Sequence, residues 1–146
     1  MENSKKAVDC FNSGFNCSQA VFYAFAEELG IENEKALKIA SSFGGGMAKM
    51  GDTCGAVTGA FMALGMKYGR VIADDLEARD KNYTKVLEFV DEFKSRNKSI
   101  VCRELLGFDL NKTEEKAAFI EKHPGYISPC PKLVEDAAEI LERILL

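Results

Sequence analysis

Cys17, Cys54, Cys102 and Cys130, four of the five cysteines in the chain, each stand where a helix is expected to begin. A helix N-terminus presents unpaired N–H groups and the positive end of its dipole, which favours a thiolate over a thiol. Four such positions, far apart in sequence, point to thiols gathered for metal or redox chemistry. Thiolates are ligands for zinc and for iron–sulfur clusters, and a pair of thiols can instead cycle through a disulfide. Bare anions would not tolerate one another, since two thiolates about 4 Å apart repel by about 4 kcal/mol at an effective dielectric near 20. A helix end supplies about 0.3–1 kcal/mol, whereas moving a thiol pKa from about 8.5 to 7 takes about 2 kcal/mol. Most of the thiols therefore stay protonated, or a pair oxidises, or a soft cation sits among them. No Cys-x-x-Cys pair is present. Ligands drawn from four separate helices suit a cluster or reversible redox site better than a stapling zinc.

Among the four, Cys54 is the leading candidate for a reactive thiol. Gly55, Ala56, Gly59, Ala60 and Ala63 leave one side of its helix nearly bare, and Gly55 keeps the approach to Cys54 open. Gly59 and Ala63 read as close helix packing, and the same small-residue face offers a contact for a homodimer. Cys10, beside Phe11 on an apolar face, reads as core. Gly44-Gly45-Gly46 lacks the Gly-Lys-Ser/Thr and preceding strand of a phosphate loop, and reads as a flexible helix exit bordering the site. Arg103 is a further site candidate, while Lys94, Arg96 and Lys98 read as charges at the C-terminal end of a long helix. His123, a conceivable fifth ligand or proton carrier, precedes Pro124-Gly125 and is expected to be exposed. No Ser/His/Asp set, HExxH or paired-carboxylate motif supports a hydrolase.

The elements that must position these residues are helices, for apolar residues recur every three to four positions and no period-two stretch stands out. Ala7, Cys10 and Phe11 mark a short first helix, ended by Asn12-Ser13-Gly14. Asn16 is placed to cap a second helix, which carries Ala20, Val21, Ala24, Phe25 and Leu29 and stops at Gly30. A third helix starts near Glu32 and is expected to bury Ala36, Leu37, Ala40 and Phe43. Thr53 is expected to cap the Cys54 helix, which runs to about Tyr68. A long helix over roughly Asp74 to Arg96 is expected to bury a stripe of Leu76, Tyr83, Val86, Leu87, Val90 and Phe93. Ser99 is read as the cap of a short Cys102 helix ending at Gly107, and Thr113 opens another that stops before His123. Pro131 suits the first position of the last helix, which buries Leu133, Ala137, Ile140, Leu141 and Ile144. The expected fold is all-α: one compact domain over residues 1–146, with about six to eight helices.

At 146 residues, with 47% hydrophobic and 29% charged, the chain can bury one real core. A net charge of −4, from 19 basic and 23 acidic residues, argues against nucleic acid or an anionic membrane surface as partner. The polar start Met1 to Lys6 lacks the apolar stretch of a secretory signal, and the apolar run from Cys54 to Met66 is too short to span a bilayer. A cytoplasmic setting without membrane insertion is expected, where thiols stay reduced and serve metal or redox chemistry.

The segments Gly14-Phe15-Asn16-Cys17, Phe43-Gly44-Gly45-Gly46-Met47, Cys54-Gly55-Ala56-Val57-Thr58-Gly59, Cys102-Arg103-Glu104-Leu105-Leu106-Gly107 and Cys130-Pro131 recur together elsewhere. In order and spacing they resemble the bacterial and archaeal C_GCAxxG_C_C family of redox-active proteins, over nearly the whole chain. The resemblance implies a small helical domain whose signature cysteines are Cys17, Cys54, Cys102 and Cys130, often encoded near transporter genes. A similar module in split-Soret cytochromes has been proposed to hold an iron–sulfur cluster. The Cys-x-x-Cys-His motif for covalent haem is missing here, so haem chemistry does not carry over.

Residues and resemblance together lead to a redox-active protein whose four cysteines bind an iron–sulfur cluster or another thiophilic metal such as zinc, with Gly55 bordering the group. Electron transfer to a partner protein is the expected use, rather than turnover of a substrate. The rival is a metal-free thiol–disulfide oxidoreductase in which Cys54 attacks and another of the four resolves. A third reading is a metal carrier or accessory protein for a transporter, motivated by the family's gene neighbours.

Overall fold

The computed structural model describes residues 2–146. Eight α-helices follow one another: α1 (Glu2–Asn12), α2 (Cys17–Ala26), α3 (Asn33–Ala40), α4 (Gly55–Tyr68), α5 (Leu76–Asn97), α6 (Cys102–Leu106), α7 (Thr113–Lys122) and α8 (Cys130–Leu145). A 3₁₀ turn, Ser41–Phe43, extends α3, and the only β-type pairing among the described residues is a bridge between Thr53 and Val101. The all-α, single-domain expectation holds. None of these helices is long and apolar enough to cross a membrane.

The core forms around α2, which packs against α1, α3, α4 and α8. Its start is set locally: Asn16 Oδ1 accepts from the Gln19 N–H at 2.9 Å while the Asn16 N–H donates to Gln19 Oε1 at 3.1 Å, a closed capping box. Val21, Phe22 and Phe25 are its large buried side chains. The small residues of α4 let that helix lie close against α2, because a Cβ at Gly59 would stand 2.6 Å from the Ser18 carbonyl oxygen. Gly55, Ala56, Gly59, Ala60 and Ala63 are all buried in this way. The face expected to offer a homodimer contact is therefore consumed inside the chain.

Helix α5 departs from the expected stripe. Leu76, Tyr83 and Leu87 are 51%, 56% and 62% exposed, and the buried residues are Phe89 and Phe93. Their rings stack with centroids 5.9 Å apart, and Phe61 of α4 meets Phe89 edge-on at 6.2 Å. The reason is the geometry of contact: α5 rests on α4 and α8, and its buried residues fall in the C-terminal half. Smaller shifts occur elsewhere. Leu37 and Phe43 are only half-buried, Cys54 rather than Thr53 is the N-cap of α4, and Val101 rather than Ser99 precedes α6. Ser99 Oγ instead accepts from the Val101 N–H at 2.9 Å and donates to Glu104 at 2.7 Å.

The α5–α8 seam is closed by Asp136, a carboxylate with its side chain 10% exposed. Lys132 Nζ, Asn97 Nδ2 and Arg96 donate to it at 2.6, 3.1 and 3.3 Å. Burial pushes the Asp136 pKa up, but the bond from Lys132, that from Asn97, the Lys132 charge and the bond from Arg96 outweigh it and hold the carboxyl below its ordinary value. A lowered folded-state pKa contributes stability above about pH 4 and loses it as pH falls further. Asp136→Asn is expected to cost about 1–2 kcal/mol near neutral pH, with the gap to the parent in urea unfolding narrowing as pH falls below about 4.

A second, smaller cluster lies beneath the excursion between α6 and α8. Cys102, Leu106 and Phe108 are buried there, with Leu110, Phe119, Tyr126 and Cys130 packed against them. Helix α7 has no buried residue and is held mainly through Phe119. Gly107, at φ +90°, leaves room for that ring, because a Cβ there would come within 2.6 Å of it.

Candidate four-sulfur site

Four helix starts converge on one cavity of about 380 Å³, and Cys17, Cys54, Cys102 and Cys130 all line it. Cys17, Cys102 and Cys130 are the first residues of α2, α6 and α8, and Cys54 is the N-cap of α4. Phe11, Leu105, Leu106, Leu110 and Leu133 make the rest of the wall mostly apolar. Backbone pairing holds two of the cysteines side by side. The Cys54 N–H donates to the Ile100 carbonyl at 2.7 Å, and the Cys102 N–H donates to the Asp52 carbonyl at 2.6 Å.

Glycines set the spacing of the other elements. A Cβ at Gly55 would collide with Cys17 Sγ, and one at Gly44 with the Asn16 side chain that caps α2. Gly55 thus keeps Cys17 close to the start of α4. The segment after Phe43 is not the flexible exit expected of three glycines. Gly45, Gly46, Met47, Ala48 and Lys49 all have φ between 50° and 69°, an unbroken left-handed turn that includes three non-glycine residues. Left-handed backbone costs about 1–2 kcal/mol for each non-glycine residue, so the turn needs compensation. It comes from bonds such as Ala48 N–H to the Ser42 carbonyl at 2.9 Å and Asp52 N–H to the Gly46 carbonyl at 2.9 Å.

This turn sets Ala48 and Lys49 on the cavity rim, and Lys49 is the one basic residue of the lining. Sequence reasoning missed it. Its only signal was its position between the glycine run and the Cys54 helix.

Burial dominates the electrostatics. Cys54 is 5% and Cys102 7% exposed. Burial pushes the Cys54 pKa far above the ordinary thiol range, the Cys17 charge adds to this, and the N–H groups of Ala56 and Val57 pull back too little to offset it. Cys102 is pushed up to about 12, by burial first and then by Cys17 and Cys130, with Arg103 opposing. Cys130 is raised by burial, against a hydrogen bond from Ser128. At Cys54, Cys102 and Cys130 the expected preference for thiolate at helix starts is therefore reversed by desolvation. Cys54 is correspondingly a poor candidate for a freely attacking thiol.

The remaining candidates separate cleanly. Cys10 is buried in α1, away from the cavity, and burial raises its pKa too. His123 is exposed, its ring stacked on Phe119 at 4.0 Å. Arg96 is committed to Glu92, Asp136 and Glu139, and Lys98 is the left-handed cap of α5. Arg103 pairs with Asp52 at 3.2 Å beside Cys102 but does not line the cavity. All five cysteines are free thiols, and no three His, Cys, Asp or Glu side chains among the described residues are grouped so as to hold a metal ion.

Comparison with known proteins agrees with the order of the cysteines. Residues 15–144 match the family described as "Putative redox-active protein (C_GCAxxG_C_C)". An uncharacterized protein of Archaeoglobus fulgidus is 29% identical over 133 residues, covering 83% of this chain and 88% of that relative. No solved structure matches the chain. With its four cysteines on one cavity and the family match spanning almost its whole length, the chain belongs to the C_GCAxxG_C_C family of redox-active proteins.

Proposed function

We propose that Cys17, Cys54, Cys102 and Cys130 hold an iron–sulfur cluster, or another thiophilic metal group, and that the protein passes electrons through it. The observation that carries this reading is the convergence of the four cysteines on one apolar cavity where burial disfavours bare thiolates. As ligands of such a group the four sulfurs would give up their protons, which helix ends alone do not achieve at Cys54, Cys102 and Cys130. When bound, such a group supplies reversible one-electron chemistry.

The donor set fits a cluster better than a single ion. One tetrahedral ion needs four sulfurs about 2.3 Å from a single point. A cluster takes its thiolates on different metal atoms, so its sulfurs stand further apart, and about 380 Å³ is far more space than one ion fills. The protein's own groups have matching roles. Leu105, Leu106, Leu110 and Leu133 keep water away, the N-termini of α2, α4 and α8 offset thiolate charge, and Lys49 stands at the rim as a counter-cation.

Anaerobic purification, metal and sulfide analysis and visible absorption test the reading. Iron with acid-labile sulfide and a broad visible band is the expected result. Stoichiometric zinc without colour would favour a carrier or transporter-accessory role. A colourless, metal-free protein that reversibly loses two thiols would establish the disulfide mechanism instead.

A further inference from the structure

Between Gly107 and Gly125 the chain bonds almost entirely to itself. Both glycines have positive φ, +90° and +83°, where a residue without a Cβ pivots at no steric cost. Of residues 108–124 only Phe108, Asp109, Leu110 and Phe119 are not exposed. The hydrogen bonds of the stretch close locally. The Lys112 N–H donates to the Asp109 carbonyl at 3.0 Å, the Asp109 N–H to Glu115 at 3.3 Å and the His123 N–H to the Phe119 carbonyl at 3.0 Å. Among the described residues one hydrogen bond joins the stretch to the rest of the chain, from the Tyr126 N–H to the His123 carbonyl at 3.1 Å, and no ion pair does.

Attachment is therefore by rings. Phe119 meets Phe108 and Tyr126 with both centroids 5.4 Å away, and His123 stacks on it at 4.0 Å. These rings belong to the sulfur site: Phe108, Phe119 and Tyr126 pack in one cluster with Cys102 and Cys130, and Leu110 lines the cavity. Helices α2 and α4, which position Cys17 and Cys54, are instead packed through the main core. A segment bonded to itself and held by a few rings opens at less cost than the whole molecule unfolds. We propose that residues 108–124 form a flap that swings on Gly107 and Gly125, unlatches at Phe119, and is the door through which the metal group reaches Cys102 and the cavity. This deepens the four-sulfur reading and rests on it for what passes through.

The test is iodoacetamide alkylation of each cysteine in the full-length, reduced, metal-free protein under argon, read by peptide mass spectrometry. Cys102 is 7% exposed, so its rate follows the fraction of molecules in which the flap is open. Phe119→Ala removes the latch and should speed Cys102 by about 10–100-fold, the scale for a half-buried ring. Gly125→Ala removes no contact, since its Cβ meets nothing within 4 Å, but burdens the closed form with left-handed strain. It should speed Cys102 by about 5–30-fold. Cys10, 8% exposed in the main core, should keep its parental rate in both variants. An unchanged Cys102 in either variant, or an equal rise at Cys10, overturns the flap. In reconstituted protein Phe119→Ala should lose iron to a chelator about tenfold faster, and release at the parental rate overturns the flap as the door. Metal analysis of the parent is separate from the alkylation readout. A parent that binds no metal would refute the four-sulfur reading, while the Cys102 rate would still decide the flap.

Discussion

Replacing any one of Cys17, Cys54, Cys102 or Cys130 with alanine should remove most of the bound metal, while Cys10→Ala leaves it in place. The sizes are far apart. Binding at four-ligand structural zinc sites is worth about 10–16 kcal/mol, so one ligand in four accounts for about 2.5–4 kcal/mol, a loss of roughly 70–900-fold in affinity. Cys10 faces the side of α1 away from the cavity and contributes only packing, so its replacement costs about 1 kcal/mol of stability and no metal. Iron per chain in anaerobically reconstituted variants is the measurement. Equal losses across all five variants would mean that the metal depends on general folding and not on the four cavity sulfurs.

Gly46→Ala should strongly destabilise the molecule. Gly46 has φ +69°, and a Cβ there would stand 2.6 Å from the Asp52 nitrogen and 2.7 Å from Cys102 Cβ. Backbone cannot rotate out of the way as a flexible side chain does. Conformational strain of about 1–2 kcal/mol adds to about 1–3 kcal/mol of overpacking. At about 2–4 °C per kcal/mol for a chain of this size, thermal unfolding should fall by about 4–20 °C. Gly65→Ala in α4 is the control, because its Cβ meets nothing within 4 Å and alanine is the better helix former. A parental Tm for Gly46→Ala would show that the left-handed turn is not the packed spacer described above.

The helical elements were readable because their signals are local. The Asn16 cap, the end of α4 at Tyr68, the Thr113 start and the apolar face of α8 each depend on a few neighbouring residues, and each lies where the spacing placed it. Where a choice depended on a distant neighbour, local reading failed. Period alone could not tell that α5 turns Phe89 inward and leaves Leu87 in solvent, since that depends on where α4 and α8 lie. The three glycines were read as looseness because glycine permits it. Whether such a run is loose or ordered depends on hydrogen bonds that chain neighbours cannot foretell.

What the order of residues settles here is the helices and the placing of four thiols at or beside their first turns, because capping and periodicity act over short stretches of chain. Packing decided everything that concerns the thiols as a set: that they share one cavity, that Gly55 brings Cys17 to α4 and that Lys49 stands at the rim. It also reversed the charge argument. A helix dipole can be anticipated from the chain, but desolvation comes from whatever folds over a group, and at Cys54 and Cys102 the larger effect was the second.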